Sequence, residues 1–325
     1  MNFTVLKKVI VLFCITSILL FSGCTGKSDI TEGEKLSVVC TSFPQYDWVR
    51  NIVGEVSDVE ISLIIDNGTE SHSYQATADD IIKIKNSDIF IFNGGKSDSS
   101  FDKIAEQNRH EGWISINMMN SIPEKLLYED IFESESHNHH KSTYDEHIWL
   151  SLNNSIELCH IITDELSKAD PENSNIYKTN CENYTTVLEN LNLRYKELVS
   201  GSAKKEIILA DRHPFKYLMN DYNLKCYAAF QGCSSDTEAS FETVITLAKK
   251  IDELGVTKIA VTENSNSSIA ESVISASAAE SIDIITMNSI QSVSQKDIDS
   301  GLTYISAMES NLEALTKLLN SDQKS

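Results

Sequence analysis

The sequence predicts an α/β protein of two similar α/β lobes, parallel sheets flanked by helices, joined by one long backbone helix. Three observations predict it. Strand-like and helix-like segments alternate through residues 36–118, they alternate again through residues 206–319, and residues 172–199 between them run without glycine or proline. Alternation of this kind makes parallel sheets, because a strand can return parallel to its neighbour only through a crossover such as a helix.

In the first block, residues 36–42 read as a strand and residues 46–53 as a helix that ends at Gly54, as helices often do. Residues 59–66 are the second strand. Thr77 is an N-cap, and the segment ADDIIKIKNS after it places acids in its first turn. Residues 89–93 form a strand broken by Asn93-Gly94-Gly95, residues 98–107 a short helix, and residues 113–118 a last strand. The second block repeats the theme. Strands are expected at residues 206–211, 226–230, 258–262 and 283–287. Helices are expected at 215–221, 241–254 (amphipathic, stopped by Gly255), 267–279 and 298–319.

Residues 153–168 are helical, and Pro171 marks a new helix start after Asp170. Tyr177, Cys181, Tyr184, Leu188, Leu191, Tyr195 and Leu198 then recur at alternating steps of four and three, which puts them on one helix face. A helix of about 28 residues is about 42 Å long. Such a beam predicts stiff lobes and small closure, in contrast to receptors that close about flexible hinges. The expected organisation is a signal segment over 1–24, a tether over 25–35, an N-terminal lobe over 36–168 with a His-rich loop at 133–143, a linking helix over 169–200 and a C-terminal lobe over 201–325.

Lys7 and Lys8 precede an apolar run, residues 9–21, that is too short to span a bilayer comfortably. The run ends in Leu20-Phe21-Ser22-Gly23-Cys24, the pattern of a bacterial lipoprotein signal, with Phe21 where Leu is more usual. Cys24 is then the lipid-bearing first mature residue, and the chain is anchored by acyl chains on the extracytoplasmic face of the cell membrane. Without Lys7 and Lys8 the chain holds 25 basic residues against 48 acidic ones, a net charge near −23. That excludes nucleic acid and electrostatic attachment to anionic lipid, and it concentrates cations. Cys40, Cys159, Cys181, Cys226 and Cys233 are odd in number, so at least one thiol stays free; Cys226 and Cys233 are near enough in sequence to pair.

Ligands of open α/β sheets bind outside the carboxyl ends of the strands. Four coordinating side chains fall there. His72 follows the strand of residues 59–66, His147 precedes the helical connection, His213 follows the strand of residues 206–211, and Glu263 ends the strand of residues 258–262. Two come from each half, where a cleft between lobes opens. Three imidazoles and a carboxylate suit tetrahedral Zn²⁺, and Mn²⁺ is the alternative, although it favours oxygen-richer sites.

The segments CTSFPQYDWVRNIVGE, GTESHSYQATADDIIKIKNSDIFIFNGG, DEHIWLSLNNS and AVTENSNSSIAESV resemble the solute-binding lipoproteins of zinc and manganese ABC importers, over about residues 36–319. The most specific part is G-x-E-x-H-x-Y-x-x-T-x-x-D, here Gly68, Glu70, His72, Tyr74, Thr77 and Asp80, with Ser71 where Pro is common. The resemblance implies two lobes joined by one long helix, a metal ion held between them, and its delivery to an ABC permease and its ATPase by a monomeric carrier. His72 and His147 match the first two ligand histidines, and Glu263 the glutamate. The third ligand departs from the pattern: the family position, three residues before Phe215, is Arg212, which cannot ligate. His213 is the preferred substitute, with Asp211 or a water as the others. Glu70 and Glu146, beside ligand histidines, are expected to orient imidazoles.

His137, His139 and His140 lie in a stretch with no apolar residues, too polar to fold by burial, and resemble the His-rich loop of zinc-type members. They are expected to gather metal weakly. A carrier and not an enzyme is therefore expected. A zinc hydrolase needs an open coordination position with a general base beside it. Four protein ligands close the site, and neither H-E-x-x-H nor G-x-S-x-G occurs. Nothing in the sequence speaks specifically for an adhesin.

Overall fold

Each βα block condenses into a four-stranded parallel sheet. In the first, β1 (Leu36–Cys40), α1 (Phe43–Val53), β2 (Val59–Leu63), α2 (Ala78–Lys85), β3 (Ile89–Phe92), α3 (Ser99–Gln107) and β4 (Ile114–Asn117) follow one another, and the sheet order is β2-β1-β3-β4. A one-turn helix α4 (Met118–Ser121) closes the block. Two long helices come next, α5 (Leu152–Ala169) and α6 (Ser174–Gly201). The second block holds β5 (Glu206–His213), α7 (Lys216–Asp221), β6 (Lys225–Gln231), α8 (Phe241–Leu254), β7 (Lys258–Thr262), α9 (Ser268–Ala276), β8 (Asp283–Met287), α10 (Gln295–Asp299) and α11 (Tyr304–Leu319), with order β6-β5-β7-β8. The two sheets thus share one topology, and each has its switch point beside its first strand, where β1 parts from β3 and β5 from β7.

This is a computed structural model, and it describes residues 35–129, 143–232 and 238–320. Cys24 and the signal segment, His137, His139 and His140, and Cys233 lie outside the described residues. Leu36 onward forms one compact unit. Among the described residues no helix is long and apolar enough to cross a membrane.

Side chains alternate between faces along a strand, so one strand serves two layers. Val38, Cys40, Ile89 and Ile91 face a central core, while Val39, Phe90 and Phe92 face an outer layer with Ile84 of α2 and Phe101 of α3. In the second sheet Ile207 and Leu209 face the same central core, and Ile208 and Ala210 pack outward on α8 and α9. The central core therefore runs unbroken from one sheet to the other through α5 and α6. Each fully buried aliphatic or aromatic side chain in it contributes about 1.5–3 kcal/mol.

Helix α6 spans 28 residues and buries Tyr177, Cys181, Tyr184, Leu188, Leu191 and Tyr195 as expected. At its end Val199 takes the buried place, and Leu198 is only half-buried. A 3.5-residue pattern drifts about 20° per heptad from the true helix, so after three heptads the next residue faces inward. The Tyr195 hydroxyl donates to the Met308 carbonyl at 2.5 Å, and its ring stacks on Tyr222, which bolts α6 to α11 and α7. Cys40, Cys159 and Cys181 are buried small hydrophobes with free thiols, and Cys226 is free and half-buried.

Three expectations are corrected. The final helix is two, α10 and α11, because the chain turns at Gly301 with φ 93°, a left-handed conformation glycine adopts without penalty. Strand β5 runs on to His213, with a register shift between Leu209 and Arg212, so Arg212 and His213 sit on the strand and not in a loop after it. Helix α9 stops at Ala276, short of residue 279.

Candidate metal centre

The turn that carries His72, Ser71–Ser73, is a single 3-10 turn entered from Glu70. His147 caps the 3-10 turn Ile148–Leu150, whose three side chains are buried and hold its backbone still. The two rings meet edge to face, with centroids 4.9 Å apart, and their Nε2 atoms lie 2.9 Å from each other.

Carboxylates fix both rings from behind. Asp145 Oδ1 accepts from the His147 backbone N–H at 2.9 Å and faces His147 Nδ1 at 3.1 Å. His72 Nδ1 lies 2.7 Å from Ser97 Oγ and 3.4 Å from Glu146 Oε2. A carboxylate only accepts, so each Nδ1 carries a proton and each Nε2 presents its lone pair to the other. One shared proton satisfies that contact. Burial lowers the His147 pKa, but the facing carboxylates of Asp145 and Glu146 raise it further, and the net shift is upward.

Glu146 is held in turn by a backbone cradle. Its Oε1 accepts from the N–H groups of Lys96 at 2.5 Å and Ser97 at 3.0 Å. Gly95 approaches so closely, at φ 88°, that a Cβ there meets the Glu146 carboxyl at 2.7 Å. Burial raises the Glu146 pKa, yet hydrogen bonds from His72 and Ser97 outweigh it and hold the carboxyl below its ordinary range. Glu146 thus takes the expected place behind an imidazole, but the imidazole is that of His72 and not of its neighbour His147. Asp145 serves His147, and the sequence reading missed it; the acid two residues before the histidine was its only signal.

At the end of β5, His213 Nδ1 is buried and has no hydrogen-bond partner among the described residues. Burial, with Lys216 and His147 nearby, pushes its pKa down to about 4, so the ring is neutral at physiological pH. Glu263 at the end of β7 is engaged by Ser289, which donates its N–H to Oε2 at 2.8 Å and its hydroxyl to Oε1 at 2.6 Å. Each oxygen keeps a second lone pair. Asp211, the alternative to His213, is the more engaged carboxylate: Oδ1 accepts from the Arg212 N–H, and Oδ2 from both the hydroxyl at 2.7 Å and the N–H of Thr262 at 3.3 Å. It ties β5 to β7 across the register shift. Glu70 does not face an imidazole in this structure; its two oxygens take Arg212 Nη1 at 2.7 and 2.9 Å.

Glu70, Asp211, Arg212, Gly232, Glu263 and Ser289 line a cavity of about 70 Å³, and Gln291 lines both it and the small cleft beside His72. The structure therefore brings His72 and His147 into contact, sets the His213 backbone beside Gly232 next to His147, and places Glu263 in the cavity with Gly232. Among the described residues no three His, Cys, Asp or Glu side chains converge to hold an ion.

Gly232 is the tightest point. A Cβ there meets His147 Cε1 and the His213 carbonyl, each at 2.8 Å. His147 is wholly buried and the carbonyl is backbone, so neither yields easily. Gly232→Ala is expected to shift the His147 ring and weaken zinc binding by about tenfold or more, since ligand geometry tolerates only ~0.2 Å of error. Isothermal titration tests it; unaltered affinity means the ring does not sit where zinc binds.

The profile of a family described as "Zinc-uptake complex component A periplasmic" matches residues 38–318. The zinc-binding lipoprotein AdcA of Streptococcus pneumoniae is 29% identical over 315 residues, covering 95% of this chain and 60% of its own length. The chain thus spans about three-fifths of the length of that relative. The high-affinity zinc uptake system protein ZnuA of Bacillus subtilis is 29% identical over 324 residues, covering 95% of this chain and 97% of that one. Among solved structures, the Zn(II)-bound ZnuA-like domain of S. pneumoniae AdcA superposes with a TM-score of 0.70 at 25% identity, over 88% of this chain and 99% of that one.

Proposed function

The chain belongs to the family of periplasmic zinc-uptake component A proteins, and we propose that it captures Zn²⁺ between its two lobes and delivers it to the permease of an ABC importer. The observation that carries this reading is the His72–His147 pair, whose Nε2 atoms face each other at 2.9 Å while carboxylates hold both Nδ1 protons. Two imidazoles on one tetrahedral zinc stand about 3.3 Å apart, given Zn–N bonds of about 2.0–2.1 Å. Opening the pair by about 0.4 Å exchanges one proton for one zinc ion. His213 Nδ1, neutral and unbonded, is the third ligand in this reading. Glu263 is the fourth, through the lone pairs that Ser289 leaves open. The nitrogen-rich set favours Zn²⁺ over Mn²⁺.

Such a site is a carrier's and not an enzyme's. The ion is cargo, and four protein ligands leave no position for water to attack a substrate. The importer's ATPase drives uptake from the opposite side of the membrane. Cys24 carries the lipid that keeps this chain, as a monomer, at the extracytoplasmic face. The relative AdcA is named a lipoprotein, which supports that anchoring. His137, His139 and His140 gather zinc weakly and exchange it fast.

Metal analysis of a fragment lacking residues 1–24 tests the reading. One tightly held Zn²⁺ per chain is expected, with further weak zinc lost when His137, His139 and His140 are changed to alanine. A fragment that retains no zinc after dialysis overturns it. Zinc-dependent turnover of an ester or peptide points to the hydrolase instead.

A further inference from the structure

Arg212 stands where the family resemblance places a ligand, and it reaches across the cleft. Its Nη1 contacts both carboxylate oxygens of Glu70, 142 residues away, at 2.7 and 2.9 Å. Arg212 rides on the end of β5 in the C-terminal lobe. Glu70 enters the 3-10 turn of the N-terminal lobe that carries His72, and its carbonyl accepts from the Ser73 N–H at 3.0 Å. The turn is thus tied to the other lobe from its tip.

Its stem is tied as well. Asn67 pairs with Ser294 in an antiparallel bridge, and the Gln295 N–H donates to the Asp66 carbonyl at 2.6 Å. The two ties differ in kind. The stem tie is made by backbone groups. The tip tie is a side-chain ion pair that is 28% exposed on Arg212 and 33% on Glu70, wet enough to break and remake. Both partners line the cavity that also holds Glu263 and Gly232. Glu70 directly precedes the turn that carries His72, so the tie acts on the backbone of that turn.

We propose that the Arg212–Glu70 ion pair is a latch across the metal cleft, in which Arg212 positions the His72 turn and sets the rate of zinc exchange. The proposal rests on the reading of the cleft as a zinc site. Arg212 coordinates nothing; it acts through Glu70 and the turn.

A competing reading needs no latch. A guanidinium near a cation site repels the cation, and a carboxylate attracts it. On charge alone, Arg212→Gln slows zinc release, Glu70→Gln speeds it, and the double variant, in which the two charges are lost together, leaves it unchanged. A latch predicts otherwise. Both single variants and the double variant release zinc faster, by about three- to tenfold, and to similar extents because each breaks the same contact. The exchanged pair, E70R with R212E, restores slow release in part.

The measurement is stopped-flow release of zinc from the loaded full chain into excess chelator, with melting temperatures of the metal-free proteins beside it. A purely structural role moves the melting temperature and not the rate. On wild-type protein, raising salt is expected to speed release, because screening weakens a half-exposed pair; this arm needs no variant to fold. Opposite signs for the two single variants, or a double variant at the wild-type rate, overturn the latch. Failure of the wild-type chain to load zinc overturns the zinc reading itself, so the two failures are separate.

Discussion

Changing either His72 or His147 to alanine is expected to lower zinc affinity by at least about a hundredfold, and changing both is expected to abolish tight binding. If the four proposed ligands share the apparent affinity of a structural zinc site, about 10–16 kcal/mol, each carries about 3 kcal/mol, which is roughly a hundredfold. The two variants differ in what else they disturb. His72 is half-buried on a short surface turn, so His72→Ala leaves the core untouched. His147 is fully buried against Asp145 and Trp149, so His147→Ala opens a cavity and leaves Asp145 with the backbone N–H but without the imidazole. A larger drop in the melting temperature of metal-free protein is expected for His147→Ala than for His72→Ala, which leaves the core intact but removes a partner of Glu146. Competition against a fluorescent zinc chelator measures the affinities. If both variants keep wild-type affinity, the ion sits elsewhere and the paired imidazoles are merely packed.

In the proposed site the pair also sets the pH at which zinc is held. Both Nδ1 positions are pinned by carboxylates, so protons and zinc compete for the facing Nε2 atoms. The upward shift of His147 strengthens the proton in that contest. Zinc affinity should fall as pH drops and His147 takes up its proton, while Glu146 behind the pair, held below its ordinary range, keeps its charge.

Much of this was legible from residue order. Strands and helices announced themselves by period, and Thr77, Gly54 and Gly255 marked ends where the structure has them. The linking helix was read to within a turn because a seven-residue rhythm over that length has no strand interpretation. His72, His147, His213 and Glu263 were singled out because strand ends are where sheets bind ligands. The unread features are those fixed by contacts distant in sequence. Nothing local says that Ser289 will hold Glu263 from 26 residues away, or that Glu70 will turn from the histidines to Arg212. The extension of β5 to His213 was hidden because Arg-His-Pro has no apolar alternation. It is paired to Phe230 and Gln231 of β6 by the sheet and not by its own propensity.

That extension makes His213 the residue with the second largest expected effect. His213→Leu is expected to weaken zinc binding about a hundredfold, whereas Asp211→Asn should mainly lower stability, because Asp211 holds Thr262 and the Arg212 backbone. Acid sensitivity of the metal-free protein supplies an independent readout. Burial depresses the His213 pKa to about 4, below the unfolded value of about 6.5. A group with a depressed folded pKa takes up its proton more readily when unfolded. Its contribution is therefore fully present above pH ~6.5 and is lost as pH falls toward ~4. Between pH 7.5 and pH 5 this amounts to about 2 kcal/mol. His147 shifts the opposite way, but it is common to wild type and variant and cancels in the difference. Urea titrations at the two pH values should show wild type losing about 2 kcal/mol more than His213→Leu on acidification. Equal losses mean that His213 is solvated and free to protonate. Wild-type zinc affinity in the same variant hands the third position to Asp211 or to water.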